Sequence, residues 1–415
     1  MTDNKKAIFF LRHNNDIDHI VPVLYKWLST ENISTDVIIT TKRSLINDFR
    51  IEQLRQFKNV MIFHINDFFN KHTLQYWFNY FYFKDDTQAD RFIKKFSFVR
   101  KKADKAIKKI ADKIFKDMKE GFVAFDWTTT YFVNSMINIA KDKGFTTISL
   151  PHGDAPYVNY MIAKNAFNYS CLDSYEPSKI FDYIVVPNIH FFKRYEKYMD
   201  NDRIKILGSP RYCDEWIKIM SKFTPKFKLE ESEDKLKIVF FLRNTAFPIF
   251  WEEFVRTIKL IMQFPDVYMV VKHHPRSTAS RRLTKRLIDF YPEIEENIGK
   301  NLKFIYGKEN SSSLLNWADL VMDMGTSITW EAVKIEKPVL MPEYLHANYS
   351  TIAYYFKESE IKYKDQLYDT IKKFVENKNL KFYDEKVRER FIREVIDVPD
   401  KKVLERYVDF LKSCL

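Results

Sequence analysis

The chain has 415 residues, of which 46% are hydrophobic, so it can bury a sizeable core and is long enough for two domains. Its net charge of +12 favours an anionic surface, polymer or lipid as a partner, but we expect no nucleic acid because no zinc-finger, RNA-recognition or arginine-rich signature occurs. The seven glycines form neither GxGxxG nor GxxxxGK[ST], which argues against a dinucleotide-binding Rossmann enzyme and a P-loop ATPase.

The same composition predicts a cytoplasmic protein. The sequence has no long uncharged apolar run, and the apolar run before Arg12 is too short for a secretion signal. Three widely spaced cysteines show no CxxC pattern and fit a reducing compartment.

Apolar runs alternate with helical patterns along the whole chain. In the first half, we predict helices that include 18–31 and 129–143, and strands at 7–11, 35–40, 59–64, 122–125, 145–150, 182–186 and 204–207. In the second half, the predicted strands are 238–242, 267–272, 302–305, 319–322 and 338–341. Such alternation predicts parallel sheets with helical crossovers, and therefore the α/β class.

Two Rossmann-like halves follow from this order, because 7–11 and 238–242 each resemble a first strand. A polar, charged and proline-containing segment at 223–236 is typical of a linker. We predict an N-terminal acceptor domain at 1–222 and a C-terminal nucleotide-donor domain at 237–415, whose last helices pack back on the first domain.

A basic insertion at 88–119 interrupts the first half. Residues 91–119 hold twelve Lys and Arg against three Asp, with an apolar stripe at helical spacing that runs from Phe92 to Ile114. This pattern favours a solvated helix that packs its stripe on its own domain. The alternative is a peripheral contact with anionic headgroups at the inner face of the cell membrane.

His152 is the main candidate for chemistry in the first half. It follows the predicted strand 145–150, between Pro151 and Gly153. An imidazole titrates near neutrality and can act as a general base on an acceptor hydroxyl. A single histidine at a strand end is more often structural, but a second histidine motif in the other half favours the functional interpretation.

Other polar residues lie near predicted strand ends of the first half. The candidates for acceptor or cleft contacts are Arg12, His13, Asn14, Asp154, Ser209 and Arg211. A simple turn explains Ser209 and Arg211 equally well. Asp16-Ile17-Asp18 resembles a metal-binding DxD, but it precedes a helix, where Asp is a favoured cap, so we predict no metal.

In the second half, cationic residues follow two predicted strands. Lys272 ends the predicted strand 267–272, and His274 and Arg276 follow it. These cations suit a diphosphate, and Pro275 favours an extended conformation that aims His274 at the cleft. Arg243 and Asn244 follow the strand 238–242 and are candidates for donor contacts. Adjacent histidines without a third ligand make an unconvincing metal site.

The segment 318–344 reads as strand, tight loop, helix and strand. Gly325, Thr326 and Ser327 stand where a helix should begin, and its amides and dipole suit a phosphate. The alternative is that Ser327 is a simple N-cap. That alternative leaves Glu331 unexplained, because a capping-box carboxylate would lie three residues after the cap.

Taken in order, His152-Gly153, His274-Pro275 and the segment from Gly325 to Pro338 resemble GT-B transferases of bacterial surface-polymer synthesis. Two families fit: the CDP-glycerol glycerophosphotransferases of teichoic acid and capsule assembly, and capsule transferases that use CMP-activated acidic sugars. The resemblance covers roughly residues 120–350, and it departs from the first family at Pro151 and at Trp330-Glu331.

The resemblance implies a GT-B fold with two Rossmann-like domains facing each other across a cleft. His152 and His274 would be the catalytic residues. The donor nucleotide, CDP or CMP, would meet His274, Thr326 and Ser327, with Glu331 near the ribose. His152 would deprotonate a hydroxyl of a glycan or lipid-linked acceptor, without cofactor or metal. The chain would thus transfer a sugar or polyol phosphate.

Two other functions remain open on the sequence. A UDP-sugar epimerase or hydrolase of the UDP-GlcNAc 2-epimerase type shares the fold and a Gly…Glu-Ala pattern, and it would need no acceptor. A non-catalytic GT-B binding protein would keep the fold without turnover.

Overall fold

Two parallel β-sheets organise the chain in the computed structural model. The structure describes residues 5–70, 86–116, 118–126, 129–152, 179–243, 249–274, 282, 285–286, 288–289, 291–307, 309–346, 349–396 and 402–415. These residues fall into two units: one holds those up to His152, those from Lys179 to Phe223 and those from Glu394 on, and the other holds Thr224–Arg393.

The first unit is built on a seven-stranded sheet of order β3-β2-β1-β4-β5-β6-β7. Its strands are β1 (Lys5–Leu11), β2 (Ser34–Ile39), β3 (Val60–His64), β4 (Glu120–Asp126), β5 (Thr146–Leu150), β6 (Tyr183–Val186) and β7 (Ile204–Ile206). Its helices are α1 (Asn14–Thr30), α2 (Phe49–Leu54), α3 (Asp86–Lys95), α4 (Ser97–Ile114), α5 (Tyr131–Asp142), α6 (Ile189–Tyr195) and α7 (Asp214–Phe223).

The second unit has a six-stranded sheet of order β10-β9-β8-β11-β12-β13. Its strands are β8 (Leu236–Phe241), β9 (Val267–Lys272), β10 (Leu302–Ile305), β11 (Leu320–Asp323), β12 (Val339–Pro342) and β13 (Glu360–Ile361). Its helices are α8 (Trp251–Ile261), α9 (Pro292–Glu295), α10 (Ser311–Trp317), α11 (Ile328–Lys334), α12 (Thr351–Tyr355), α13 (Lys364–Glu376) and α14 (Glu385–Phe391).

The last helix of the chain, α15 (Val403–Ser413), belongs to the first unit. Tyr407 and Leu411 of α15 are fully buried in the same core as Phe9 of β1 and Leu24 of α1. The Tyr407 hydroxyl donates a hydrogen bond of 2.9 Å to the carbonyl oxygen of Gly208, after β7. The first unit is therefore completed by a helix that follows the second unit in the sequence.

The predicted strands are confirmed, each to within two residues at either end. Strands such as 236–241 are buried between flanking helices and therefore appear as apolar runs. Such runs can be recognised in the sequence without tertiary information. The two-residue strand β13 was not predicted, because so short a segment carries no periodic signal.

The apolar stripe of the basic insertion divides between core and solvent. Ala103, Ile107 and Ile110 of α4 are at most 2% exposed, so this part packs inside its own unit. Phe92 and Phe96 are instead 55% and 37% exposed. Among the described residues, no helix is both long enough and apolar enough to cross a bilayer.

Candidate functional site

Three neighbouring strands of the first sheet bring polar side chains to one edge. Arg12 follows β1, Asp126 ends β4, and His152 comes two residues after β5. Asp16 lies in the first turn of α1, directly after β1. Because carboxyl ends of parallel strands share an edge, these four residues form a group, here called the acid–imidazole cluster.

Short polar contacts join the members of the acid–imidazole cluster. Nδ1 of His152 lies 2.5 Å from Oδ1 of Asp16 and 3.0 Å from Oδ2 of Asp126. Nη2 of Arg12 donates to the same Asp126 oxygen at 3.2 Å. The other oxygen of Asp16 accepts from the backbone N–H groups of Arg12, at 2.5 Å, and of His13, at 3.0 Å. Each carboxylate is thus oriented by several donors.

The environment of His152 favours its protonated form. Burial alone would lower the pKa of this imidazole, but the charge of Asp16 and the hydrogen bonds to both carboxylates outweigh it and raise the pKa to about 9. At neutral pH the ring is therefore an imidazolium. The sequence predicted a general base at His152, whereas this protonation suits a proton donor, with the carboxylates as acceptors.

The cluster also has the atoms of a metal site. Ligand atoms of Asp16, Asp126 and His152 all lie within 4.8 Å of one another. The guanidinium of Arg12 already compensates the charge of Asp126.

A second polar network lies on the next turn of α1. Asp18 forms ion pairs with Arg50 and, at 3.0 Å, with Nη1 of Arg211. His19 is 2% exposed, and neither of its ring nitrogens has a hydrogen-bond partner among the residues that the structure describes. Burial, together with the charge of Arg211, lowers the pKa of His19, so this second imidazole is neutral. The predicted residue Arg211 is thus held by α1.

The other predicted residues of the first half that the structure describes contribute no side chain to the acid–imidazole cluster. His13 is the N-cap of α1, and Asn14 is an exposed residue of its first turn. Ser209 is buried, and its backbone N–H donates to the carbonyl oxygen of Ile396 at 2.8 Å. Asp154 lies outside the described residues. Ser209 therefore has a clear packing role.

In the second unit, three adjacent strands again end in predicted residues. Arg243 follows β8, Lys272 ends β9 with His274 two residues later, and Gly325 follows β11. Lys272 is 3% exposed, and its Nζ has no hydrogen-bond partner among the described residues. Burial lowers its pKa. An anion bound beside Lys272 would supply the missing acceptor.

The two adjacent histidines differ in burial. His273 is 1% exposed and stacks on Tyr306, with ring centroids 4.6 Å apart. Burial, followed by the charge of Lys272, lowers the pKa of His273 to about 4. His274 is half-buried, so it is the more accessible of the pair.

The loop between β11 and α11 is closed by Asp323. Its carboxylate accepts from the backbone N–H of Thr326 at 2.5 Å and from the Thr326 hydroxyl. Ser327 is the N-cap of α11 but makes no side-chain cap bond, and Glu331 lies half-buried in the first turn. The Thr326 hydroxyl therefore donates within the loop, and its contact with the donor nucleotide stays a prediction.

Gly325 allows this loop to lie on Arg243. Its φ of 87° is a left-handed conformation that glycine adopts without strain. A Cβ at this position would lie 3.3 Å from the Cβ of Ser350 and 3.5 Å from Nη1 of Arg243. The glycine is thus favoured by its backbone conformation and by the tight approach of Ser350, whereas the distance to Arg243 is an ordinary contact.

Two buried carboxyls accompany Arg243. The Oε2 atom of Glu343, after β12, accepts from the N–H of Ser350 at 3.1 Å, and its other oxygen lies 3.7 Å from Nε2 of His346. Burial raises the pKa of Asp323 and of Glu343 to about 7 each, although the charge of Arg243 acts to lower both. Arg243, Asp323 and Glu343 are here called the buried charge cluster.

Removing one of these carboxyls should change the pH dependence of stability. The folded state keeps Asp323 protonated up to about pH 7, whereas the ordinary pKa is 3.8. The stability that the retained proton contributes is therefore fully present below pH 3.8 and is lost as pH rises through 7. We expect Asp323→Asn to raise the melting temperature relative to wild type more at about pH 8 than at about pH 5. Thermal melts of both proteins test this, and an equal difference at both pH values would contradict it.

Several site residues were not predicted, and three predicted ones lie outside the described residues: Asp154, Asn244 and Arg276. The unpredicted residues of the two clusters are Asp126, Asp323 and Glu343, together with Asp16, which was interpreted as a cap. Asp126, Asp323 and Glu343 each end or follow an apolar run, as Asp126 does in GFVAFD, so a search of the residues at the ends of predicted strands could have found them. Asp16 lies four polar residues beyond its apolar run and gives no such signal.

Comparison with known proteins establishes the fold class. No protein-family model matches the chain, and no curated protein matches it. The fold is similar to UDP-GlcNAc 2-epimerase from Neisseria meningitidis bound to UDP-GlcNAc, with TM-score 0.58, 12% identity and 99% of each chain covered. It is also similar to S. aureus MnaA in complex with UDP, with TM-score 0.59, 13% identity and coverage of 98% and 96%.

A third similar structure is a glycosyltransferase from Rickettsia africae, with TM-score 0.56, 12% identity and coverage of 99% and 98%. At these identities, the likeness concerns the fold. It confirms the predicted α/β GT-B class.

Proposed function

We propose that the protein is an enzyme that acts on a UDP-activated sugar by acid–base chemistry at the sugar, without a polymer acceptor, as an epimerase or hydrolase. The observation that carries this proposal is the acid–imidazole cluster, in which one imidazolium faces two oriented carboxylates. The similar folds support it, since two of those proteins are described as bound to UDP-GlcNAc or UDP.

The composition of the cluster suits epimerisation better than transfer. Removing the proton from the carbon beside C1 and expelling UDP from C1 leaves a double bond between these two carbons. Adding UDP and a proton back gives the epimer, and adding water gives the free sugar, so one group must accept a proton and another must donate one. Asp16 and Asp126 are acceptors, and His152 is a donor of raised pKa, so the cluster supplies both roles. Displacement by an acceptor hydroxyl needs only the base, so it leaves the imidazolium without a role. Asp126 is then the base of choice for either reaction.

The second unit is proposed to hold the nucleotide. Arg243, Lys272 and His274 lie at the ends of adjacent strands, which is where phosphates bind in open α/β sheets. The buried amine of Lys272 gains a hydrogen-bond partner when an anion binds. The proposed chemistry draws on these side chains and assigns no cofactor or metal.

Incubation with the donor alone tests the proposal. UDP-GlcNAc and other UDP-sugars are incubated with the protein, and NMR detects an epimer while chromatography detects released UDP. We expect one of these products without any acceptor, and we expect UDP to raise the melting temperature more than CDP or CMP does.

The predicted transferase provides the opposing result. If turnover requires an added glycan or lipid-linked acceptor, or if CDP or CMP stabilises the protein and UDP does not, the proposal is wrong. In that case the CDP-glycerol and CMP-sugar transferases become the better comparison. His152→Ala serves as the inactive control in each assay.

A further inference from the structure

An aromatic corner stands out on the surface of the first unit. Phe92 of α3, Phe96 between the helices and Phe98 of α4 are 55%, 37% and 63% exposed. Their rings pack on one another, with centroids 6.2 Å apart for Phe92 and Phe96 and 6.0 Å apart for Phe96 and Phe98. Three adjacent exposed phenylalanines form a patch of the kind that marks an interaction surface.

The corner is surrounded by uncompensated positive charge. The segment 91–102, RFIKKFSFVRKK, contains six Lys or Arg and neither Asp nor Glu. Within the described part of the chain, no ion pair involves the exposed cations of this segment that follow: Arg91, Lys94, Lys95, Lys101 and Lys102. Elsewhere in the first unit, lysines such as Lys141 and Lys412 have carboxylate partners.

The corner is held in place from behind. Asp90 of α3 accepts from the backbone N–H of Tyr131 at 3.0 Å, and the Tyr131 hydroxyl donates to Asp104 of α4. Nε of Arg100 donates to that hydroxyl at 3.3 Å. The inner face of α4, with Ile107 and Ile110, is buried in the unit. The aromatic patch is therefore presented by a rigid support and needs little ordering on contact.

We propose that this corner, with Phe92, Phe96 and Phe98 at its centre and the cations of 91–102 around it, docks the protein on an anionic lipid bilayer. Aromatic side chains enter the headgroup boundary while surrounding Lys and Arg meet acidic headgroups. Nζ of Lys95 lies 5.6 Å from the centroid of the Phe96 ring, so charge and apolar surface occur side by side.

The ring arrangement favours a bilayer over single-stranded nucleic acid. A nucleic-acid surface presents separated aromatic faces along a basic groove, on which successive bases stack. Here the rings of Phe92 and Phe96 are nearly parallel, at 19°, and lie against each other, so they form one continuous apolar surface. The inference does not rest on the proposed function, because neither the acid–imidazole cluster nor the buried charge cluster takes part.

Co-sedimentation of the full chain with vesicles tests the inference. One set of vesicles is phosphatidylcholine alone, and the other is phosphatidylcholine mixed with phosphatidylglycerol. We expect binding to the anionic vesicles that weakens as salt is added. Lys94→Glu/Lys95→Glu should weaken that binding by at least about tenfold, since each basic residue near an anionic surface contributes several-fold.

Two further variants make the result specific. Phe96→Ser/Phe98→Ser should reduce binding even though the charge is unchanged. Lys372→Glu/Lys373→Glu makes the same charge change on exposed positions of α13 and should bind like wild type. Circular dichroism and melting temperature confirm that each variant is folded.

Three outcomes would overturn the inference. These are equal binding to neutral and anionic vesicles, equal loss in the α13 control, and binding of a single-stranded RNA oligonucleotide in place of vesicles. Because none of these assays measures turnover, failure here leaves the proposed UDP-sugar chemistry standing, and failure of that chemistry leaves membrane docking standing.

Discussion

His152→Ala is expected to lower turnover of a UDP-sugar by about 10²–10⁴-fold, which is the usual contribution of a positioned acid or base. The imidazolium lies between Asp16 and Asp126, so the substitution removes the proton donor and leaves two buried carboxylates without their shared cation. Steady-state kinetics should show the loss in kcat. A fall of less than tenfold would contradict the role proposed for His152.

The pH profile gives an independent check on this role. Because the carboxylates raise the pKa of His152 to about 9, the imidazolium and its stabilising contacts are fully present below the ordinary value of 6.5 and are lost as pH rises through 9. Wild-type activity should fall on an alkaline limb near pH 9, and Asp16→Asn should move that limb to lower pH. His190→Gln, on α6, is a matched control that should alter neither rate nor profile.

Arg243→Met should destabilise the second unit by about 3 kcal/mol near pH 8, as expected when one partner of a buried charge group is removed. Arg243 is 2% exposed, and its charge acts on both Asp323 and Glu343. Since these carboxyls have pKa values of about 7, they can take up protons as pH falls. The loss in free energy of unfolding should therefore shrink near pH 5.

Denaturant melts at both pH values measure the effect of Arg243→Met. Arg243→Lys keeps the charge and should cost less near pH 8. Adding Asp323→Asn to Arg243→Met should recover part of the lost stability, which a double-mutant cycle reports as coupling. A loss of equal size at both pH values, with no coupling, would show that Arg243 acts by packing alone.

The fold was accessible from sequence because its signals are local. Each buried strand is a short apolar run bounded by polar residues, and parallel strands buried on both faces need no wider context to be recognised. The residues at strand ends, such as Arg12 and His152, followed from the same rule. Local signals failed for β13 and for the exposed part of the stripe on α3 and α4, where tertiary packing decides which face is covered.

The chemistry of the site depended on contacts that no local pattern shows. Asp126 meets Arg12 across 114 residues of sequence, and His152 meets Asp16 across 136. The strand order β1-β4-β5 brings them together, and that order cannot be read from periodicity. The raised pKa of His152 depends on these contacts, which explains why the sequence suggested a base where the structure favours an acid.

The membership of α15 in the first unit has a consequence for biosynthesis. Chains emerge from the ribosome at about 5–20 residues per second, with the N-terminal part first. Tyr407 and Leu411 complete a core whose other members, such as Phe9 and Leu24, are made first. The first unit therefore cannot complete its folding until the second unit and α15 have been translated. Until then, part of its apolar core is exposed to solvent. We expect nascent chains stalled before Val403 to be bound by chaperones and readily cut by proteases, and release of the finished chain to end both.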